Sequence, residues 1–358
     1  MPVFPCRDID AVSWVAGAAV THLDQRSRFV SATCWSSSHQ LNEAAFDLFV
    51  DTVGPSVAEP DRLGALATQD PLRAFEYCHE LLGHQASPEI AQLATAIEAK
   101  TRLVFHRSII VDVANTEPTT SLDSPVDIVI PYRSTPDNPL RARNLAAVLS
   151  ALEDQTVQRA EYRVTVVEES EAPTVPSDPA FAVDNYIHIA YGGPFNKALA
   201  LNRGVDQAGL DGILCLLDAD IFPDRDFVHR NVLRITESPN RLHLPYSDAF
   251  CVLDGDSAAL VADGYRVGRT YGGYLVTHPA GGCVWITQES FGKTGGFDEN
   301  FTGWGGEDRD FADRAGRIAP VLRHPELLTH LYHERPVMPS SRKEIMAAVG
   351  KSFEGEDE

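Results

Sequence analysis

The spacing of apolar and polar positions divides the chain into two differently patterned parts. Up to about residue 113, apolar residues recur at the three- and four-residue spacing of one helix face, as in Ile90, Leu93, Ala94 and Ile97. Asp70-Pro71 and Ser87-Pro88 each have the form of a helix N-cap followed by proline in the first turn. We therefore predict a smaller, mainly helical N-terminal domain over residues 1–120. It carries no catalytic cluster of its own, and we interpret it as a packing or acceptor-side domain.

From residue 126, short apolar runs rich in β-branched residues alternate with amphipathic segments. The predicted strands are Val126–Ile130, Tyr162–Val167, Tyr186–Ala190 and Ile213–Leu217. The predicted helices are one capped by Asn138 before Pro139, one opened by Pro194 and ended by Gly209, and Phe227–Ile235. This alternation predicts an α/β, Rossmann-like domain over 121–336, with a mostly parallel sheet and helices on both faces. The polar stretch Ala114–Pro125 is the predicted linker, and residues 337–358 are the predicted tail.

Composition narrows the function classes. The net charge of −21 disfavours binding to the nucleic-acid backbone or to anionic lipid. No stretch has the roughly 20 apolar residues of a membrane span. The nearest is Ala11–Val20, and the segment before it is too weakly positive to predict a signal peptide. The six cysteines are scattered without a C-x-x-C pair, which favours reduced thiols in a cytoplasmic protein.

Two carboxylates follow the most apolar predicted strand, in Leu217-Asp-Ala-Asp220. In a parallel sheet, ligands bind beyond the carboxyl ends of the strands. One carboxylate can hold Mg²⁺ or Mn²⁺ while the other orients a ribose or a metal-bound water. A divalent ion there stabilises the departure of a nucleotide diphosphate. A D-x-D is also a common solvated turn, but the apolar strand before it and Ile221-Phe-Pro223 after it favour the metal site.

Two further stretches carry candidate chemistry. His330 and His333 are three residues apart and can face one ion if the chain turns there, although each is also compatible with a structural role. Gly303-Trp-Gly-Gly-Glu-Asp-Arg309 combines glycines that admit a ligand, a flat aromatic face and two carboxylates. The carboxylates fall in the first turn of a predicted helix whose inner face carries Phe311, Ala315 and Ile318. One of them can act as a base on a hydroxyl, and capping alone does not require the G-W-G-G run.

The chain from about 126 to 336 resembles the GT-A-fold glycosyltransferases, and especially the β-1,4-galactosyltransferase group with its bacterial family 2 and chondroitin-polymerase-like relatives. The residues that carry the resemblance lie in that group's order along the chain. They are Ile130-Pro-Tyr-Arg133, Pro194-Phe-Asn-Lys-Ala-Leu-Ala-Leu-Asn-Arg-Gly204, Leu217-Asp-Ala-Asp-Ile-Phe-Pro223, Gly281-Gly282 and Gly303-Trp-Gly-Gly-Glu-Asp308.

The resemblance implies a role for each matching residue. The implied donor-binding residues are Pro131, Tyr132, Arg133, Glu168, Phe195, Lys197, Asp218, Ala219, Gly282 and Trp304. The implied acceptor-binding residues are Trp304, Glu307 and Arg309. Asp308 is the implied catalytic base, and Asp220, His333 and His330 are the implied ligands of Mn²⁺, with Mg²⁺ as an alternative.

The chain also departs from the pattern of the animal galactosyltransferases. His330 stands where they have Met, Arg309 replaces an Asp, and Pro279 replaces a Tyr that restricts the donor sugar. A pocket without that Tyr can admit an N-acetyl group, so the donor is a UDP-hexose or a UDP-N-acetylhexosamine. Retaining transferases that modify polypeptides tend to have Asn at the position of Asp308, so a carboxylate there favours inversion.

The sequence thus predicts an inverting, metal-dependent glycosyltransferase that moves a sugar from a UDP-sugar to a hydroxyl of a carbohydrate, peptide or small molecule. Two alternatives stay open: a sugar-nucleotide binding module without transfer, and a retaining transferase of the polypeptide N-acetylgalactosaminyltransferase type. A glycoside hydrolase needs two carboxyl groups about 5–9.5 Å apart across a bond, which adjacent Glu307 and Asp308 need not provide. No Gly/Arg-rich triphosphate loop supports a nucleotidyltransferase.

Overall fold

The computed structural model describes residues 9–334 except 85, 110–121, 123, 136–137, 176–182, 209–211, 248, 265–268, 278 and 304. Trp304, Gly209, the predicted domain boundary at 120/121 and the predicted tail therefore lie outside the described residues. Among the helices that are described, none is both long and apolar enough to cross a membrane.

Seven helices lie among the described residues of the N-terminal region, as the helical spacing predicts. Asp70 and Ser87 both cap helices through side-chain oxygens that accept main-chain N–H groups, and proline follows each cap. Both predicted caps are thus confirmed. The helices are Ala11–Leu23 (α1), Ser27–Val30 (α2), Ala32–Val53 (α3), Pro55–Ala58 (α4), Pro60–Gln69 (α5), Pro71–Leu82 (α6) and Pro88–Lys100 (α7).

Helix α1 lies at the centre of this region, and most of its residues are buried. It packs closely against the first strand, Leu103–Ile109 (β1). A Cβ atom at Gly17 would collide with the main-chain oxygen of Phe105, so only glycine permits this approach. The hydroxyl of Thr21 accepts a hydrogen bond of 2.6 Å from the main-chain N–H of Phe105. Ala11–Val20, the apolar run that most resembles a membrane span in sequence, is therefore part of the core.

A seven-stranded sheet forms the centre of the second region. Its order is β11-β7-β10-β5-β2-β3-β4, with β5, β2, β3 and β4 mutually parallel and β10 antiparallel to β5. The predicted α/β class and mostly parallel sheet are confirmed. The strands are Val126–Tyr132 (β2), Tyr162–Ser170 (β3), Asn185–Ala190 (β4), Ile213–Leu217 (β5), His243–Leu244 (β7), Cys283–Thr287 (β10) and Leu322–Arg323 (β11).

A second, five-stranded sheet is a feature that the sequence pattern did not predict. Its order is β1-β9-β8-β12-β6, so a strand from the N-terminal region, β1, pairs with β9 in the C-terminal half. One apolar core cluster likewise contains residues of α1 together with residues of β8 and β9. The domain boundary stays a prediction. The further strands are Ile221–Phe222 (β6), Ala249–Leu253 (β8), Tyr271–Thr277 (β9) and Leu328–His330 (β12).

In the part of the chain that the structure describes, six α-helices accompany the two sheets. They are Leu140–Glu153 (α8), Lys197–Asp206 (α9), Phe227–Glu237 (α10), Gly255–Ala262 (α11), Gln288–Thr294 (α12) and Glu307–Ile318 (α13). Helix α9 begins three residues after Pro194, because the side chain of Asn196 accepts from the N–H of Leu199 and forms the cap.

Three predicted details are wrong. Asn138 does not cap α8, because its amide instead donates to the main-chain oxygen of Glu334 at 2.7 Å. Ile318 does not lie on the inner face of α13, since it is the last residue of the helix and is 53% exposed. The strand predicted to end at Val167, before Glu168 and Glu169, contains both residues, because the pairing of β3 with β4 continues to Ser170 and Ala190.

Candidate active site

A cavity of about 410 Å³ lies at the carboxyl ends of β2 and β5. Its size is within the range of small-ligand sites. All but two of the predicted site residues line it: Pro131, Tyr132, Arg133, Phe195, Lys197, Asp218, Ala219, Asp220, Gly282, Glu307, Asp308, Arg309, His330 and His333. The tertiary structure therefore brings residues from six separate stretches of sequence to one place.

The two exceptions are Trp304 and Glu168. Trp304 lies outside the described residues. Glu168 is fully buried, does not line the cavity, and accepts hydrogen bonds from Tyr186 and from the main chain of Thr174 and Val175. Burial raises the pKa of Glu168, but the bonds from Thr174, Tyr186 and Val175 outweigh it, and the net shift is downward. Its donor-binding role stays a prediction, and its contacts hold the chain after β3.

The D-x-D stretch forms a short turn between β5 and β6. The N–H of Asp218 donates to the main-chain oxygen of Gly282 at 2.9 Å, and the N–H of Ile221 donates back to Asp218 at 3.1 Å. Gly282 has a φ of +89°, in the region that favours glycine. The turn thus holds Asp218 and Asp220 in the lining of the cavity, with Asp218 bonded to the residue that precedes β10.

Asp220, His330 and His333 form a compact cluster whose ligand atoms all lie within 4.8 Å of one another. The Nε2 atom of His333 is 2.9 Å from one carboxylate oxygen of Asp220, and that of His330 is 3.3 Å from the other. All three residues are more than nine-tenths buried. Strand pairing explains this, because β6 and β12 are antiparallel neighbours with His330 opposite Ile221.

The hydrogen bonds of the two rings orient their other nitrogen atoms. Nδ1 of His330 is 2.7 Å from the carbonyl oxygen of Leu331, and Nδ1 of His333 is 2.9 Å from that of Glu334. A carbonyl only accepts, so each Nδ1 carries a proton, and each Nε2 faces the Asp220 carboxylate. Each Nε2 can share a proton with that carboxylate, or, in the neutral ring, offer a lone pair to a cation that the carboxylate also binds.

The donor set fits a divalent metal ion. The Oδ1 atom of Asp220 is buried and makes no hydrogen bond with any described residue. Burial raises the pKa of this carboxyl, but His330 and His333 outweigh burial and hold it well below its usual range. Two imidazoles held by main-chain carbonyls and one ionised carboxylate suit Mn²⁺ and later transition metals.

Lys197 connects the carboxylates on the other side of the cavity. Its Nζ atom lies 2.7 Å from Asp218, 3.0 Å from Asp308 and 3.8 Å from Glu307. Burial alone would lower the pKa of Lys197, but Asp218, Asp308 and Glu307 outweigh burial and raise it well above its usual range. One ammonium thus faces three carboxylates, and the excess of acidic groups favours a further cation in the cavity.

Glu307 and Asp308 begin α13, as predicted, directly after a glycine turn. Gly303, Gly305 and Gly306 all have positive φ, and Gly306 at +100° is the residue before the helix. Burial and the neighbouring Asp308 raise the pKa of Glu307 to about 7, although Lys197 opposes the shift. Glu307 can therefore hold a proton at neutral pH and donate a hydrogen bond, whereas both carboxylate oxygens of Asp308 accept from the Lys197 ammonium.

Main-chain contacts shape the remaining walls. Arg133 donates to the carbonyl oxygen of Gly193 at 2.5 Å, and the N–H of Gly303 donates to that of Phe195 at 2.8 Å. Gly281 leaves room for Asp308, because a Cβ atom at Gly281 would overlap the Asp308 carboxylate. Gly303 thus holds the segment before α9 in place, and the position of Asp308 requires glycine in the segment before β10.

Sequence reasoning missed several residues that build the cavity. Tyr246 is fully buried and donates to the main-chain oxygen of Gly281 at 2.8 Å, while Arg323 donates to those of Ser247 and Pro279. Arg141, near the start of α8, lines the cavity and lowers the pKa of Asp220. The sequence offered one signal for Arg141, which is a basic residue in the first turn of the helix that follows β2.

Part of the chain is similar in sequence to galactosyltransferases. The family model described as the N-terminal domain of galactosyltransferase matches residues 272–334. The chain is 35% identical over 156 residues to β-1,4-galactosyltransferase 4 of Homo sapiens, covering 42% of this chain and 38% of that protein. It is 33% identical over 151 residues to β-1,4-galactosyltransferase 3 of Homo sapiens, covering 40% and 32%. The predicted resemblance to the β-1,4-galactosyltransferase group is confirmed over this part of the chain. The chain matches less than two fifths of the length of these relatives.

A solved structure with a weaker similarity is that of GalNAc-T7 with UDP, GalNAc and Mn²⁺. It aligns with a TM-score of 0.43 and 16% identity, covering 60% of this chain and 44% of that one. A TM-score below 0.5 is too low to support a conclusion about this chain.

Proposed function

We propose that this chain is a metal-dependent, inverting glycosyltransferase that transfers a hexose or N-acetylhexosamine from a UDP-sugar to an acceptor hydroxyl. One observation carries the proposal. The cavity that holds the Asp220, His330 and His333 cluster also holds Asp308, with Lys197 and Asp218 between the two. The similarity to β-1,4-galactosyltransferases supports glycosyl transfer as the class of reaction.

The metal-binding cluster supplies the means of stabilising the leaving group. Asp220, His333 and His330 would hold Mn²⁺, with Mg²⁺ as the alternative, and a bound ion would supply positive charge to offset the negative charge of the departing UDP. Lys197 and Arg133 line the same cavity and provide further positive charge for the diphosphate. Pro131, Tyr132 and Phe195 provide the apolar surfaces against which the uracil ring packs.

Asp308 is the proposed base. It takes the proton of the acceptor hydroxyl while that oxygen forms a bond to the anomeric carbon, and the bond from that carbon to the β-phosphate oxygen breaks. UDP departs with the electron pair from the face opposite the attacking oxygen, so the anomeric configuration inverts. Before this step, Lys197 must exchange its contact with Asp308 for one with the diphosphate, because an ammonium 3.0 Å away makes a carboxylate a weaker base.

Two measurements test the proposal on the full chain. Calorimetry with UDP and MnCl₂ should show binding that EDTA abolishes. A panel of UDP-sugars should then show turnover with Mn²⁺, and the product anomer, determined by NMR, should be opposite to that of the donor. Asp308→Asn should lower kcat by about a thousandfold or more while the Kd of UDP changes little. Full activity of this variant, or a product of retained configuration, would contradict the mechanism.

The alternative of a binding module without transfer has its own signature. Such a module binds UDP with Mn²⁺ but shows neither hydrolysis nor transfer with any member of the panel. The presence of a positioned carboxylate, Asp308, in addition to the metal cluster favours the enzyme.

A further inference from the structure

Part of the cavity wall comes from the N-terminal helical region, which the glycosyltransferase resemblance does not cover. Ser31 and Cys34, at the start of α3, line the cavity. The Oγ atom of Ser31 accepts from the N–H of Cys34 at 3.3 Å and caps the helix. Ser31 and Cys34 are therefore the residues through which the N-terminal domain could act on the acceptor side, as predicted for it.

Three residues of the second sheet complete this wall. Phe250 on β8 and Val276 on β9 are paired neighbours in the sheet, and Thr277 follows Val276. Cys34 and Phe250 both pack against the apolar core that contains Val276. We define the neutral wall as Ser31, Cys34, Phe250, Val276 and Thr277. It contains no charged side chain, in contrast to the Lys197 and Arg133 side of the cavity.

The neutral wall includes a hydroxyl group that has no hydrogen-bond partner among the described residues. It is the hydroxyl of Thr277, whose Oγ1 atom is buried. The main-chain N–H of Thr277 donates to the main-chain oxygen of Arg102, so the N-terminal region also contacts the main chain of this residue. A buried hydroxyl without a partner is costly, and a bound hydroxyl group removes that cost.

The neutral wall also reaches the proposed metal site. The ring of Phe250 stacks on that of His330, with centroids 6.0 Å apart and an angle of 13° between the planes. A group that rests on Phe250 is therefore next to the metal cluster, where the transferred sugar and the leaving diphosphate meet.

We propose that the neutral wall is an acceptor subsite for a neutral, hydroxyl-bearing ring such as a pyranose. The proposal rests on the proposed function. An apolar face flanked by hydroxyl and thiol groups suits the mixed surface of a sugar ring, whereas the diphosphate requires cationic groups such as Lys197 and Arg133. The N-terminal region thereby contributes to the choice of acceptor.

Bulk at Cys34 provides the first test. Cys34→Phe is compared with Cys34→Ser, which keeps the size, and with Gln40→Phe, which adds the same ring at an exposed position of α3 outside the cavity. The acceptors are neutral p-nitrophenyl glycosides and, as an anionic probe, the corresponding glucuronide. Cys34→Phe should raise the acceptor KM by about tenfold or more while the Kd of UDP with Mn²⁺ stays within about twofold.

Two results would overturn the assignment. Unchanged acceptor kinetics in Cys34→Phe would show that the neutral wall does not contact the acceptor. A parallel loss of UDP binding would assign the wall to the donor. A wild-type protein that binds no UDP with Mn²⁺ would instead refute the proposed function, so the two failures are distinguishable.

Chemical protection tests the same point in the unaltered protein. Cys34 is partly exposed, whereas Cys78, Cys215, Cys251 and Cys283 are buried. Alkylation of Cys34 by N-ethylmaleimide, followed by peptide mass spectrometry, should be slowed by a neutral glycoside in the presence of UDP and Mn²⁺, but much less by the glucuronide. Lack of protection by every neutral glycoside, or equal protection by the glucuronide, would overturn the subsite even if Cys34→Phe failed to fold.

Discussion

The ammonium of Lys197 lies 3.0 Å from the carboxylate of Asp308, the proposed base. The same ammonium is 2.7 Å from Asp218. These contacts join the first turn of α9 to the start of α13 and the end of β5. A single side chain thus balances the charge of the residues proposed to bind the nucleotide and to remove the acceptor proton.

Lys197→Met should weaken both folding and donor binding. Removal of the ammonium leaves buried carboxylates facing one another, so the free energy of unfolding should fall by about 3 kcal/mol. Affinity for UDP with Mn²⁺ should also fall about tenfold or more, because a charge-assisted contact to the diphosphate is lost. Denaturant unfolding and calorimetry measure the two effects. Lys197→Arg keeps the charge and should retain most of the stability, and equal losses in both variants would contradict the electrostatic account.

His333→Ala should weaken the binding of Mn²⁺. The Nε2 atom of His333 is 2.9 Å from Asp220, so its loss deletes one of three proposed ligands. The Mn²⁺ concentration for half-maximal UDP binding should rise by about tenfold or more. His229→Ala, on α10 and away from the cavity, is the control and should behave as the wild type. A wild-type titration curve for His333→Ala would exclude His333 from the metal site.

Glu307 should make the metal-free protein less stable as the pH rises from about 4.5 to about 7. Burial, Asp308 and Asp218 raise the pKa of Glu307 to about 7 in the folded protein, against the opposing effect of Lys197, while the unfolded value is near 4.5. The folded state therefore binds the extra proton in this interval, and the free energy of unfolding falls as that proton is lost. Above about pH 7 this contribution is constant.

Glu307→Gln removes this titration and provides the measurement. Melting temperatures of both proteins, recorded without metal between pH 5 and pH 8, should show the variant gaining stability relative to the wild type as the pH rises. A difference between the two proteins that does not change with pH would show that Glu307 titrates in the ordinary range.

Gly281→Ala should impair catalysis with little effect on folding. The added Cβ atom overlaps the Asp308 carboxylate, so the base must move from its position beside Lys197. We expect kcat to fall by about tenfold to a hundredfold, as small misplacements of reacting groups do. Gly292→Ala on α12, where a Cβ atom meets nothing within 4 Å, is the matched control. Equal activity in the two variants would contradict the proposed position of Asp308.

Much of the cavity could be predicted because its residues lie in short stretches with recognisable chemistry. Asp218 and Asp220 follow a buried strand, and Glu307 and Asp308 follow a glycine turn, as expected. The second sheet could not be predicted from local pattern, since β1 pairs with β9 more than 160 residues later in the chain. The exposure of Ile318 was missed for a similar reason, because helical spacing alone does not show where the neighbouring layer ends.

The sequence by itself determined the residue types at the strand ends, the apolar runs that become strands, and the set of side chains able to bind a metal and remove a proton. Only the tertiary structure decided which of them meet. Pairing of β6 with β12 brings His330 to Asp220, and the docking of α9 and α13 brings Lys197 to Asp308. Packing of the N-terminal helices brings Ser31 and Cys34 to the same cavity. Such contacts depend on the fit of whole elements against one another, which no local pattern of apolar and polar residues specifies.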